Sequence, residues 1–300
     1  MLLLDRHTVP RSAPPDQRLD RYLTGVWAAL PSRKAVQKAL KRGAVRRGDR
    51  VFTSVHRVLP GETFELWAAD ERPGVRDYLH RHVVVYEDDH IAVLHKPAGW
   101  PTSGNLFRTV ENCLRHTLIP SPLPDGLQWP RPVHRLDAPT SGLLVIAKTR
   151  SAHAALGAAF ADRRVQKHYH AICVGYLPDA GGIDRPLDGK SARTEYDTEQ
   201  RVRSLRNDYL SLTRIALLTG RTHQIRRHFV GMGYPLFGDQ RYGPPGEVYR
   251  GKGLLLAATS LRFPHPDTGA PVQLTLPVPP KFGSLLRREA RRYARYYGEV

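Results

Sequence analysis

The stretch HRLDAPTSGLLVIAKT, residues 134–149, decides how this chain is read. It places Asp137 just behind His134 and Arg135, bends through Ala138-Pro139 and Thr140-Ser141-Gly142, and then runs apolar from Leu143 to Ala147. The residue before a proline favours extended or turn backbone, and an unbroken apolar run of this length fits a strand buried on both faces. An aspartate at the mouth of such a strand sits at the rim of the core, within reach of a cleft. Two roles are open to it: capping the turn while pairing with Arg135, or acting as a reagent.

The surrounding chain is strongly basic, with 46 Lys and Arg against 28 Asp and Glu and a net charge of +18. Such a surface concentrates polyanions, so nucleic acid is the first candidate partner and an anionic membrane the second. The longest apolar runs, GLLVIA at 142–147 and GLLLAA at 253–258, are far shorter than the ~20 residues of a spanning helix. MLLLDRHTVP is too short an apolar start for a secretory signal. Two cysteines, Cys113 and Cys173, make neither a disulfide framework nor a zinc site. The expectations are a cytoplasmic protein with no membrane association. With 300 residues and 41% hydrophobic content, roughly two domains with substantial cores are expected.

Residues 1–16 contain RSAPPD, lack periodicity, and read as a flexible lead-in. RLDRYLTGVWAAL (18–30) spaces its apolar residues as one helical stripe, broken by Pro31. Ser32 is placed to cap a second helix, RKAVQKALKR, which ends at Gly43 and buries Val36, Ala39 and Leu40. Short strands broken by turns at 47–49 and 60–61 follow, up to residue 67. Residues 33–50 hold eight Lys or Arg and one acid, which suits either an RNA-binding surface or a solvated basic face. With RLDRYL, SRK, the terminal Gly43 and GETFEL in place, residues 17–67 resemble the alpha-L RNA-binding domain of a ribosomal small-subunit protein and of tyrosyl-tRNA synthetases. That resemblance makes Arg33, Lys34, Lys38, Lys41, Arg42 and Arg46 the candidate RNA contacts. VRRGDRV departs from the family, which more often has a valine-asparagine-glycine turn there.

Residues 68–82 read as a linker. Beyond it, VVVYE and IAVLHK form a hairpin around EDDH, followed by a KPAG loop, a helix TVENCLRHTL and a proline-rich loop at 120–132. After residue 149 come a helix, SAHAALGAAFADR, and a buried strand, YHAICVGY; residues 177–208 show no assignable pattern. In LLTGRTHQIRRHFVGMG (217–233), Thr222 can cap a helix that buries Ile225, Phe229 and Met232. Arg226 would then emerge in its first turn beside Arg221 and His223, a site suited to phosphate or carboxylate. Tyr169 stands just before the apolar part of its strand, where its ring can face a cleft.

HRLDAPTSGLLVIA, KHYHAICVG, TGRTHQIRRH and YPLFGDQRYG, in that order and after KPAG at 96–99, closely resemble the RluA-type pseudouridine synthases over about residues 83–280. The resemblance implies an α+β catalytic domain, residues 83–300, with a central mixed, largely antiparallel sheet split by an active-site cleft, preceded by the small α/β RNA-binding module. It implies that Asp137 is the catalytic aspartate, attacking or deprotonating the target uridine. Tyr169 would stack on the uracil, and Arg226 would hold Asp137 ionised and oriented. Arg135 would fill the gap left by the flipped nucleotide, and His134, Thr140, Arg221 and His223 would line the substrate site. Flipping costs a few kcal/mol, offset by stacking and hydrogen bonds in the pocket. The implied partner is RNA, ribosomal RNA of the large subunit before transfer RNA, and the implied reaction needs no metal and no cofactor. For the chain itself the expectation is a monomer without an obligate protein partner.

Several features depart from that family. Ala138 stands where a longer polar residue is common, and Ala257 where a histidine is frequent. HKPAGWPTSGNLFRT is unusual after KPAG and reads as an RNA-contacting loop. The tail GSLLRREARRYARYYGEV sets Leu286, Ala290, Tyr293 and Tyr297 on one stripe, as a docked helix with a basic outer face or an RNA contact. A non-catalytic RNA-binding or assembly protein on the same fold is the first rival, although Asp137, Tyr169 and Arg226 are all present. A glycosidase needs a second acid, for which Asp239 is the conceivable residue. A kinase-like loop lacks its glycine-rich partner.

Overall fold

The computed structural model describes residues 3–13, 16–67, 77–243 and 253–298. It divides into two units, residues 1–76 and 77–300.

The first unit is built from β1 (Leu3–Thr8), α1 (Leu19–Tyr22), α2 (Arg33–Lys41), β2 (Val45–Arg47), β3 (Arg50–Val51) and β4 (Thr63–Trp67). Its sheet runs β1-β4-β2-β3. Leu19, Leu23, Trp27, Val36, Leu40 and Phe64 fill its core. The expected lead-in is in part a strand: β1 pairs antiparallel with β4, and Arg6 bonds Glu65 at 2.8 Å. Its side chains are mostly exposed, so no apolar alternation marked it. The helix expected over 18–30 stops after one turn, because Gly25 adopts φ +79°, yet Leu23, Trp27 and Leu30 are buried as their spacing implied. Ser32 does cap α2, accepting from the Ala35 N–H.

Asp20 is fully buried under that unit's basic face. Burial alone would raise its pKa, but bonds from Gln37 and Arg33, with the Arg33 and Arg18 charges, hold it at about 2. Arg33, expected as an RNA contact, therefore spends its fork on Asp20, at 3.0 and 2.9 Å. Arg46 likewise donates to the Gly43 carbonyl at 2.6 Å. Lys34, Lys38 and Lys41 are exposed, and Arg42 is half-buried.

The second unit opens with β5 (Val83–Glu87) and β6 (Ile91–Lys96), the expected hairpin, whose turn is closed by Asp88 accepting from the N–H groups of His90 and Ile91 at 2.8 Å. A 3₁₀ turn (Glu111–Cys113) and α3 (Leu114–Thr117) follow. β7 (Gly126–Pro132) occupies the stretch expected to be loop and pairs irregularly with β8 (Ser141–Thr149). α4 is Arg150–Ala161 and β9 is Gln166–Val174. The unassigned 177–208 region supplies β10 (Ala180–Asp184) and β11 (Arg193–Ser204), which form a meander with β12 (Asp208–Leu217). β11 is charged along much of its length, so it carries no clean period-two signal. α5 (Gln224–Gly231), β13 (Leu256–Pro264), β14 (Pro271–Thr275) and α6 (Pro280–Tyr297) complete the unit.

The ten-stranded sheet runs β10-β11-β12-β9-β13-β8-β6-β5, with β14 on β13 and β7 on β8. Every pairing is antiparallel except β13 with β8. That parallel contact spans only Ala257↔Ser141 and Ala258↔Gly142, beside the loop that carries Asp137. β8 is buried along its whole length, as its apolar run required. Gly142 is obligatory there: it has φ +119°, and a Cβ would lie 2.1 Å from the Ala258 carbonyl oxygen. Residues 77–82 belong to this unit; Tyr78 packs against its core, and His80 stacks on Trp100 at 4.6 Å. Among the described residues, no helix is long and apolar enough to cross a membrane.

Candidate active site

The Asp137 loop is clamped from the KPAGWPT segment. Gly99 N–H donates to the Ala138 carbonyl at 2.7 Å, and Thr102 Oγ1 both donates to the Leu136 carbonyl and accepts from its N–H. Lys96 is fully buried and donates to the carbonyls of Trp100 (2.7 Å), Pro97 (3.1 Å) and Ala138 (3.2 Å). Burial pulls the Lys96 pKa down to about 8, against the Asp137 charge, which raises it. The segment expected to touch RNA thus also fixes the Asp137 loop. Lys96 was visible in the sequence only as part of KPAG. Thr140 closes the same loop through its backbone, donating to the Asp137 carbonyl at 3.0 Å, with its side chain buried.

Arg226, in the first turn of α5, reaches the Asp137 carboxylate at 3.4 Å through Nη1. Among the described residues it is Arg226, not Arg135, that pairs with this carboxylate. Arg226 itself is bound by Asp239, which accepts from Nε and Nη2 at 2.7 Å each. Asp239 also accepts from the N–H groups of Arg241 and Tyr242. Burial tends to raise the Asp239 pKa, but these bonds and the Arg226 charge lower it. The same contacts outweigh the burial of Arg226 and raise its pKa, so the guanidinium stays charged. Tyr242 packs on Arg226, 4.9 Å from ring centroid to guanidinium, and shares a 2.8 Å hydrogen bond with His223 Nδ1. Gly238, at φ +78°, lets this turn run against the Gly253 carbonyl, where a Cβ would lie 1.9 Å away.

His223, not Thr222, precedes α5, in a left-handed conformation and without a side-chain cap. Its Nε2 lies 3.6 Å from Asp137. Burial lowers the His223 pKa, and the Arg226 and Arg241 charges add to that against Asp137 and Asp239. The ring is therefore neutral at neutral pH, and Arg226 is the cation beside Asp137. The anion site expected at this helix start is occupied by the chain's own carboxylates.

Tyr169 on β9 is nearly buried, and burial, then the Asp137 charge, raises its pKa, leaving a neutral phenol. A cleft of about 460 Å³ joins Asp137, Tyr169, Arg226 and His223 with Arg135, which is exposed, and Arg221. Arg163 and Lys167 also line it. Arg221 is tethered to the Ser191 carbonyl at 3.0 Å. His134 touches the cleft but serves the fold: its Nε2 accepts from the Val145 N–H at 3.0 Å, and its ring stacks on Phe160 at 4.8 Å. Burial, with the Lys167 charge, holds its pKa at about 3.

The sequence pattern described as RNA pseudouridylate synthase matches residues 90–230. A ribosomal large subunit pseudouridine synthase D of Pseudomonas aeruginosa is 33% identical, over 92% of this chain and 94% of its own. The chain belongs to the RluA-type family of RNA pseudouridine synthases. An uncharacterized RNA pseudouridine synthase of Chloroflexus aurantiacus is 36% identical over 92% of each chain. Among solved structures, human RNA pseudouridylate synthase domain containing 1 superposes with a TM-score of 0.55 at 26% identity, over 70% of this chain and 86% of its own. As an RNA pseudouridine synthase, this protein is an enzyme that isomerises uridine within RNA, and its mixed, largely antiparallel sheet is the family's fold.

Proposed function

We propose that this synthase modifies a uridine of large-subunit ribosomal RNA, with Asp137 as the reacting group. The observation that carries the site reading is the convergence of Asp137, Arg226 and Tyr169 in one cleft. The names of relatives such as the Pseudomonas aeruginosa enzyme support the ribosomal target.

The reaction breaks the N1–C1′ bond, turns the uracil and joins C5 to C1′. The C5 proton is lost and N1 gains one, so no atom is added overall. Asp137 attacks C1′ or removes a ribose proton. Both routes need a carboxylate, and Arg226 supplies a fixed cation beside it. Tyr169, a neutral phenol, offers its ring as a stacking surface for the detached uracil. Arg135, exposed at the cleft rim, enters the stack vacated by the flipped nucleotide, while Arg221 lines the path of the backbone. Residues 17–67, through Lys34, Lys38 and Lys41, add sequence-blind phosphate contacts.

Pseudouridine mapping of ribosomal and transfer RNA from cells with and without this chain tests the target. A site lost from large-subunit RNA supports the reading; a site lost only from transfer RNA replaces it.

A further inference from the structure

We infer that α6 forms a second RNA-contact site, on the face of the sheet opposite the catalytic cleft. On β9, Tyr169, Ala171 and Cys173 belong to the core below the cleft, whereas Ile172 packs with Phe282, Leu285 and Leu286 of α6. Successive strand residues point to opposite faces, so α6 covers the far side.

This helix carries six basic side chains and one acidic one. Arg288, Arg292 and Arg295 share a stripe at i, i+4 and i+7. Together with Arg206, Phe237 and Tyr296 they line a cavity of about 750 Å³. Glu289, itself buried, organises the group: Oε2 accepts from Ser204 Oγ at 3.1 Å, while Oε1 lies 3.6 Å from both Arg288 Nε and Arg292 Nη1. One carboxylate thus gathers two guanidiniums but balances only one charge. Arg288 Nε is buried with no hydrogen-bond acceptor among the described residues.

A phosphodiester supplies what this cavity lacks, because guanidinium forks match phosphate oxygens. Tyr296 and Tyr297, 72% and 58% exposed, add flat rings on which bases can stack. Arg203, ion-paired with Asp208, continues the aromatic strip, lying 4.3 Å from the Tyr209 ring and 5.6 Å from that of Tyr293. A lipid surface is disfavoured, since the helix's large aliphatic side chains are turned into the sheet. Engaging both faces requires a large folded RNA; in that respect the inference rests on the ribosomal reading above.

The test compares the parent with Arg288→Gln/Arg292→Gln/Arg295→Gln, using large-subunit ribosomal RNA and transfer RNA transcribed in vitro. Expected for the ribosomal transcript are a Kd raised about tenfold at 0.1 M salt and a log Kd against log salt slope shallower by about 2. Turnover at saturating RNA, read as tritium released from C5, stays within about twofold. The melting temperature drops only modestly, because Glu289 keeps its Ser204 hydrogen bond and the glutamine amides at 288 and 292 can donate to it. A control, Arg287→Gln/Arg291→Gln, alters residues tied to Ser284 and to the helix backbone and shifts the slope by less than half as much. Parent-like Kd and slope in the triple variant overturn the inference, as does an equal loss in the control pair. If the parent turns over neither transcript, the ribosomal target fails while the Kd comparison still decides the role of α6.

Discussion

Arg226 is bound twice by Asp239, at 2.7 Å on both atoms, and once by Asp137, at 3.4 Å. Asp239 orients the guanidinium, and the remaining edge of the fork is presented to Asp137. The bidentate pair is almost entirely buried, so its geometry is held without solvent screening.

Asp137→Asn keeps the loop clamps made by Lys96, Gly99 and Thr102, which bond to backbone. It should melt like the parent and form no measurable pseudouridine in bulk RNA. Residual tritium release at a tenth of the parent rate would falsify the role assigned to Asp137.

Removing Asp239 leaves the Arg226 charge buried with one distant partner. Asp239→Ala should cost about 3–5 kcal/mol of stability, in the range found when buried pairs are broken. Asp239→Asn keeps the shape but loses charge and one acceptor, so it should lower kcat more than tenfold with less destabilisation. Denaturant unfolding and single-turnover rates separate the two effects. An Asn variant with parental kcat would sink the positioning role.

Arg226→Lys preserves charge but not the fork. A single ammonium cannot reproduce the bidentate bond to Asp239 while reaching Asp137, so kcat should fall at least about a hundredfold with little change in RNA affinity. An equal change in Kd would instead mark Arg226 as an RNA contact.

Gly142→Ala puts a methyl group into the Ala258 carbonyl and forces a left-handed conformation on a residue with a Cβ. Separation of β8 from β13 at the cleft floor should follow, with a melting temperature lowered by about 10 °C or more, corresponding to over about 3 kcal/mol. Differential scanning calorimetry checks this directly.

His134 and His82 have pKa values pulled by burial from 6.5 to about 3 and about 4. Below pH 6.5 the unfolded chain binds protons that the folded protein refuses, so stability falls as pH is lowered from about 6.5 towards 4. Each histidine contributes a slope of up to about 1.4 kcal/mol per pH unit in that window. His134→Gln should flatten the dependence of the melting temperature on pH between 6.5 and 4; an unchanged slope excludes His134 as a source.

The order HRLD, KHY, HQIR and FGDQRY was legible from the chain alone, and so were the strand after Asp137, the helix behind Ser32 and the hairpin before KPAG. These depend on local pattern: an apolar run, a capping residue, a turn between β-branched stretches. β1 and β11 were not legible, because a strand with exposed or charged faces carries no periodic signal and is set by backbone pairing with a distant partner.

The partners of each site residue were decided only by the fold. Asp239 stood out in the sequence merely as a conceivable second acid, and Lys96 as a family match. Asp137 and Arg226 are 89 residues apart and meet because the sheet brings the start of β8 beside the first turn of α5. Sequence pattern determined which residues could do the chemistry, since that follows from side-chain type and local backbone preference. Tertiary structure decided which of them meet, since strand order and the close backbone approach at Gly142 and Gly238 are properties of the packed sheet.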